Sequence, residues 1–171
     1  MANSTRLENQ DIKFGILDQA QQKAIYTLAL SKAHFSTATV WGYVQFIVGI
    51  PNTIISAIAG ASALSQWQDS NMLAGMLSIL VAILTAISTF LDPSDRAKAH
   101  WHAGNQFQLL NDKFQIFIDF DAIAGSSPQE LKQKLDILID EFYKARKENP
   151  VTPYWSWKKG LKEAKQEQRQ V

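Results

Sequence analysis

From Val40 to Leu64 the chain reads VWGYVQFIVGIPNTIISAIAGASAL, and from Asn71 to Leu91 it reads NMLAGMLSILVAILTAISTFL. Neither stretch carries a charge. A core helix of a water-soluble protein keeps a charged outer face, and these two have none. About 20 apolar residues cross the hydrocarbon core of a bilayer as a helix, and residues 40–64 would measure about 37 Å at 1.5 Å per residue. The pattern predicts transmembrane helices over 40–64 and 71–91. The connector SQWQDS, 65–70, is short enough only for a tight extracytoplasmic turn. Trp41 and Trp67 fall at opposite ends of the first span, where interfacial tryptophans sit. The competing reading is a soluble bundle with two unusually apolar helices.

Outside the spans the period stays helical but the faces become amphipathic. Leu17, Ala20, Ala24, Leu28, Ser31 and Phe35 step by three or four, which predicts a helix within residues 1–39. No breaker separates it from the first span, so one helix from about Gln10 into the membrane is expected. After Leu91, DPSD reads as a helix start, with Asp92 as cap and Pro93 in the first turn. Residues 92–149 then divide into two helices. The first, about 93–120, carries the stripe Trp101, Gly104, Phe107, Leu110, Phe114 and Phe117. AGSS breaks it. The second, about 128–148, opens on a capping-box signature, Ser127, Pro128 and Glu130, and carries Leu131, Leu135, Leu138, Phe142 and Ala145 at coiled-coil-like spacing. The tail, 150–171, sets Tyr154, Trp155 and Trp157 beside Lys158 and Lys159. Such a cluster suits a lipid headgroup interface and equally suits a cap on the helical bundle. Residues after Lys162 are expected to be disordered.

Charge sharpens this picture. The chain has 171 residues, net charge +1 and 19% charged residues. Between Lys32 and Asp92 the only acidic or basic side chains are His34 and Asp69. The connector has no Lys or Arg, whereas Arg6, Lys13, Lys23 and Lys32 precede the spans and thirteen Lys and Arg follow them, starting with Arg96 and Lys98. The positive-inside rule then predicts both termini in the cytoplasm. Residues 1–23 are polar and mixed in charge, unlike a secretory signal. Cysteine is absent, which excludes disulfide scaffolds, thiolate zinc sites and thiol nucleophiles. The near-neutral balance argues against nucleic-acid binding.

The polar residues inside the spans are the candidate functional feature. Gln45, Gly49, Asn52, Ser56 and Gly60 share one helix face, and Tyr43, Ile47, Ile50 and Ile54 share the other. In the second span Gly75, Ser78, Ala82, Thr85 and Thr89 share a face opposite Leu73, Leu77, Leu80, Leu84, Ile87 and Leu91. Small residues and hydroxyls allow close helix packing, which is the expected role of the second stripe. Polar groups in membranes otherwise face a bundle interior or a wet cavity. A carboxamide left bare costs roughly 1–3 kcal/mol, so Gln45 and Asn52 need partners or water. Gln45, Asn52 and Ser56 are therefore candidates to line a path, with interhelical hydrogen bonding as the alternative. One hairpin cannot enclose a path, so a homo-oligomer is expected. Pro51 removes a backbone bond. With Gly49 it forms either a static kink or a hinge.

Catalytic chemistry is not legible. His100 and His102, at i and i+2, point to different sides of a helix and make a poor metal pair. There is no nucleophile elbow and no phosphate-binding glycine loop. Asp112, Asp119, Asp121, Asp136, Asp140 and Glu141 fall on faces expected to be solvated. Neither cofactor nor metal is implied.

The segment LDPSDRAKAHWHAGNQFQLL, 91–110, closely follows the hairpin. It resembles the SLATT family of bacterial two-span membrane proteins. That family's second span is followed by an acidic residue and arginine, then alanine, histidine, a small residue, an aromatic and leucine. Asp95, Arg96, Ala97, His100, Gly104, Phe107 and Leu110 match those positions. The tail from Pro153 to Lys159 is also similar, and the likeness extends over about residues 15–160. Phe107 stands where many members have tyrosine, so a hydroxyl role there is not carried over. The resemblance implies an all-α inner-membrane effector of a bacterial antiphage or conflict system, working beside a sensor or a nucleotide second messenger. Its expected action is to form pores that depolarise the membrane. The rival expectation is a membrane-anchored helical scaffold without pore activity. A holin-like lysis protein and an enzyme are the weaker alternatives.

Overall fold

The computed structural model describes the backbone of residues 2–64, 70–121 and 127–169, and the side chains of 9–64, 72–121 and 127–169. The expected turn at 65–70, with Trp67, and most of the AGSS break lie outside the described side chains. The described residues are helical almost throughout. Helix α1 runs Ala2–Leu64, α2 Ser70–Leu91, α3 Pro93–Ile116, α4 Pro128–Glu148 and α5 Tyr154–Gln168. A wider π-helical turn, Phe117–Asp121, follows α3. It keeps Phe117 buried while Phe120 is exposed. Helix α5 runs well past Lys162, against the expectation of disorder, and Lys32 pairs with Glu167 at 2.7 Å. The chain divides into two compact units, Met1–Thr37 with Ala99–Val171, and Ala38–Lys98.

In the first unit, α1 is enclosed on more than one side. Its side chains between Ala20 and Thr37 are small at the closest approaches. Ala20, Ala24, Ala29 and Ala33 are fully buried, as are Thr27, Ser31, His34 and Thr37. The single amphipathic stripe read from the sequence is therefore too narrow. One side of α1 meets the phenylalanine-rich faces of α3 and α4, where Phe107, Phe114, Phe117, Leu131, Leu135 and Phe142 form the centre of the core. Another side meets α5. There a Cβ added to Gly160 would lie 2.3 Å from the Ala29 carbonyl oxygen and 2.9 Å from the Ala33 nitrogen. The two backbones touch, which only glycine permits.

Hydroxyls and amides satisfy what this packing buries. Thr37 Oγ1 donates to the Ala33 carbonyl at 2.9 Å and lies 2.9 Å from Ser156 Oγ, so α1 and α5 share a bond. Asn111 Nδ2 donates to the Ala24 carbonyl at 2.7 Å. Lys113 pairs with Glu141 at 2.6 Å and Lys134 pairs with Asp121. Asp121 and Glu141 are thus half-buried ion-pair partners, not freely solvated carboxylates as their pattern suggests. Helix α4 begins with a complete capping box: Glu130 N–H donates to Ser127 Oγ and Ser127 N–H to the Glu130 carboxylate.

In the second unit, α1 and α2 form an antiparallel pair. On α2 the half-buried or buried positions are Ala74, Leu77, Val81, Leu84, Ser88 and Leu91, a strict heptad spacing. On α1 they include Val44, Val48, Asn52, Ile55 and Ala59. This is the seam of a short coiled coil. Leu77, Leu84 and Leu91 were expected to face outward, and they fill the seam instead. Asp92 ends α2 at φ 43°, a left-handed conformation that aspartate tolerates. Its carboxylate accepts from Asp95 N–H at 3.3 Å and so caps α3. Arg96 Nε donates to the Leu91 carbonyl at 2.7 Å, a carbonyl that α2 leaves without a helical donor. The Arg96 guanidinium also stacks 5.0 Å from the Trp41 ring.

The contact at Gly160 sets a ranking. Gly160→Ala is expected to destabilise the protein by about 1–3 kcal/mol, because backbone must shift. Gly104→Ala is expected to cost less. Its Cβ would meet the Phe35 ring at 2.8 Å, and a half-buried ring is able to turn aside. Thermal unfolding of both variants followed by circular dichroism checks the order, and the reverse order would contradict the backbone contact.

Candidate functional site

Two places gather polar chemistry, one in each unit. The first is the flank of the α1–α2 pair. Stepping one residue past a seam position turns a helix by 100°. In an antiparallel pair, viewed from one end, these rotations run in opposite senses, so both carry to the same side. Val44, Val48, Ile55 and Ala59 are followed by Gln45, Gly49, Ser56 and Gly60. Ala74, Leu77, Val81, Leu84 and Ser88 are followed by Gly75, Ser78, Ala82, Thr85 and Thr89. The two small or polar stripes therefore join into one face along the hairpin.

A hydrogen bond marks where they meet: Asn52 Nδ2 donates to Thr85 Oγ1 at 3.1 Å. Asn52 Oδ1 is buried with no hydrogen-bond partner among the described residues. Ser56 Oγ donates to the Asn52 carbonyl at 2.7 Å and Ser78 Oγ to the Ala74 carbonyl at 2.8 Å, so both hydroxyls are satisfied within their own helices. Gln45 is exposed. Gly75, Ser78, Ala82, Thr85 and Thr89 are exposed as well in the single chain, with Thr85 reaching Asn52 across the pair. The seam lies one step away. Helix α1 continues through Pro51, which is exposed, while Gly49 is half-buried. Thr53 Oγ1 bonds back to the Gly49 carbonyl at 2.9 Å beside the proline.

The second place is in the other unit. His34 of α1 and His100 of α3 face each other with Nδ1 atoms 3.0 Å apart, so one ring donates and the other accepts. Both are buried, and His34 stacks on Phe107 with ring centroids 5.4 Å apart. Burial, with the His100 ring beside it, lowers the His34 pKa from 6.5 to about 4. His34 also lines a cleft of about 350 Å³ whose walls include Tyr26, Arg146, Asn149, Thr152 and Trp157. Tyr26 and Trp157 pack at 4.8 Å, and the Arg146 guanidinium lies 5.9 Å from the Tyr26 ring. Asn149 Nδ2 is held by Gln106 Oε1 at 2.6 Å and the Ala145 carbonyl at 2.7 Å.

The remaining residues singled out by sequence are placed as follows. Gly104, Phe107 and Leu110 are buried in the helical core with His100, whereas Ala97 is half-buried and Asp95 pairs with Lys98 at 3.1 Å. In the tail, Trp157 packs inward while Tyr154, at 77% exposure, and Trp155 face out beside Lys158 and Lys159. The cluster thus divides between an inward tryptophan and outward rings. His102 is exposed, and no group of three metal-ligating side chains occurs among the described residues. Sequence reasoning passed over His34 and Arg146. The signal for His34 was present: it is one of only two acidic or basic residues between Lys32 and Asp92. Comparison with protein-family models, curated proteins and solved structures gives no match.

The His34 geometry has a pH consequence. The unfolded chain takes up a proton at His34 near pH 6.5 and the folded chain only near 4. Between those values the unfolded state binds more protons, so stability falls as pH drops through that window. His34→Gln keeps a polar partner for His100 without titrating at that position. Unfolding midpoints measured from pH 7 to 4 should show a shallower decline for this variant, and an unchanged slope would remove His34 as the cause.

Proposed function

We propose that this chain is an integral membrane protein that assembles as a homo-oligomer and opens a polar path across a bacterial cytoplasmic membrane. Two of its helices are long and apolar enough to span a bilayer. Their outward side chains, among them Phe46, Ile47, Ile50, Met76, Ile79 and Phe90, are exposed in the single chain. Water tolerates such a continuous apolar surface poorly, and lipid tolerates it well. The single observation that carries the path is the joined face of Gln45, Ser56, Gly60, Gly75, Ser78, Thr85 and Thr89. Hydrocarbon is a costly place for the exposed Gln45 amide on that face, while Ser56 and Ser78 bond back to their own helices. Sister chains, or water held among them, are better. In this reading Gln45 and Ser56 line the path, Asn52 ties α1 to α2 at its edge, and Gly49 and Pro51 shape the first span. The excess of Lys and Arg outside the hairpin favours cytoplasmic termini. The resemblance to the SLATT family supplies the biological role: an antiphage effector released by an upstream sensor or nucleotide signal.

A second reading, a membrane-anchored scaffold, is favoured by one specific feature. Trp101, Leu109, Ile116 and Phe120 leave an exposed apolar strip along α3 and the turn after it, which suits an interaction module.

The two readings part in cells loaded with a voltage-sensitive dye. The path predicts depolarisation on expression under activating conditions, and a reduced response for Gln45→Leu and Asn52→Leu. Equal depolarisation by wild type and both variants would remove these residues from the path. A membrane potential untouched under every condition would favour the scaffold.

A further inference from the structure

The cleft beside His34 has the makings of a small-molecule site. Its volume, about 350 Å³, falls within the usual range for ligand pockets, roughly 300–1,000 Å³. Its walls combine flat rings and a cation. Tyr26, Phe107, Tyr154 and Trp157 supply the rings, and no aspartate or glutamate is among the residues that line it. Arg146 has no carboxylate within ion-pair distance among the described residues. A guanidinium at a cleft without acids is a receptor for an anion, and its planar fork fits carboxylate or phosphate.

A second observation points the same way. His34 is only 2% exposed. One ring nitrogen, Nδ1, is taken by His100. The other, Nε2, has no hydrogen-bond partner among the described residues, yet it is not among the fully enclosed atoms left without one. His34 lines the cleft, and Nε2 is its ring nitrogen left for an occupant. An occupant of the cleft would offer that nitrogen a partner in place of water. The outer wall is stiff as well. Pro150, Val151, Thr152 and Pro153 join α4 to α5, and two prolines in four residues restrict the backbone before anything binds.

We propose that this cleft binds a small, flat aromatic molecule bearing a carboxylate or phosphate. The ring lies against Tyr26 and Trp157, the anion meets Arg146, and a polar edge of the ligand bonds to His34 Nε2. This site stands independently of the membrane path and does not use the hairpin.

Isothermal titration calorimetry on the full chain in detergent tests it. The probes are AMP and indole-3-acetate, which carry ring and anion; adenosine and indole, which carry the ring alone; and inorganic phosphate and acetate, which carry the anion alone. At least one of the first pair should bind, and the uncharged or ringless counterpart should bind at least about tenfold more weakly. Arg146→Gln, an exposed substitution, should weaken that binding by roughly ten- to a hundredfold, the range of a charge-assisted hydrogen bond. Whether AMP or indole-3-acetate is the tighter decides between phosphate and carboxylate. Absence of binding by both, equal binding of the neutral or ringless probes, or an Arg146→Gln affinity equal to wild type would overturn the site.

Discussion

One unbroken helix, α1, has to serve two environments, and most features of this chain follow from how its sequence changes along its length. Between Ala20 and Thr37 it is built of alanine, serine and threonine at the positions where neighbours press closest. Small side chains let backbones approach, so α5 seats Gly160 directly on the Ala29 carbonyl. From Val40 onward the same helix carries large aliphatic and aromatic residues on its open surface, and Gly42, Gly49 and Ala59 are among its half-buried or buried positions. What changes is which side chains meet protein and which do not.

Polar groups follow the same division. In the first unit they are paired and buried: Thr37 with Ser156, Asn111 with the Ala24 carbonyl, His34 with His100. Each bond fixes α1 to a different helix or crossing point, so the polar atoms specify an arrangement that apolar packing alone would leave degenerate. In the hairpin the hydroxyls mostly bond back to their own helix. Asn52 is the exception, because a carboxamide has no comparable local solution. It reaches Thr85 with its nitrogen and leaves its oxygen unmatched. That half-satisfied amide lies at the edge of the joined small and polar face, where a further donor would complete it.

The helices were legible because their signals are local. Period, capping residues and the lack of charge each act within a turn or two, and Ser127 with Glu130 forms the box that their spacing announced. The orientation of the faces was less legible. Sorting residues into small and large put Leu77, Leu84 and Leu91 outside, whereas the heptad they share with Ala74, Val81 and Ser88 puts them in the seam. Size is a poor guide when lipid and a partner helix both accept leucine. The cleft was invisible for a different reason. His34, Arg146 and Trp157 lie far apart in sequence, and no spacing rule links them. Only the closure of α1, α3 and the α4–α5 junction brings them together.

That closure also explains why the histidine pair stands where it does. An imidazole is among the few side chains that offer a polar atom on each of two edges while stacking its face on an aromatic ring. At position 34 the face lies on Phe107, one edge meets His100, and the residue also lines the cleft. An aliphatic residue would fill the space but orphan His100. A carboxylate would bring a charge into a wall that already excludes acids. A neutral imidazole meets all three demands, and burial holds it neutral at physiological pH. The core contact, the bond between α1 and α3 and the wall of the cleft therefore constrain the same residue. Substitution at His34 cannot change one of them alone, whereas Arg146, at the rim, is free to be read for binding by itself.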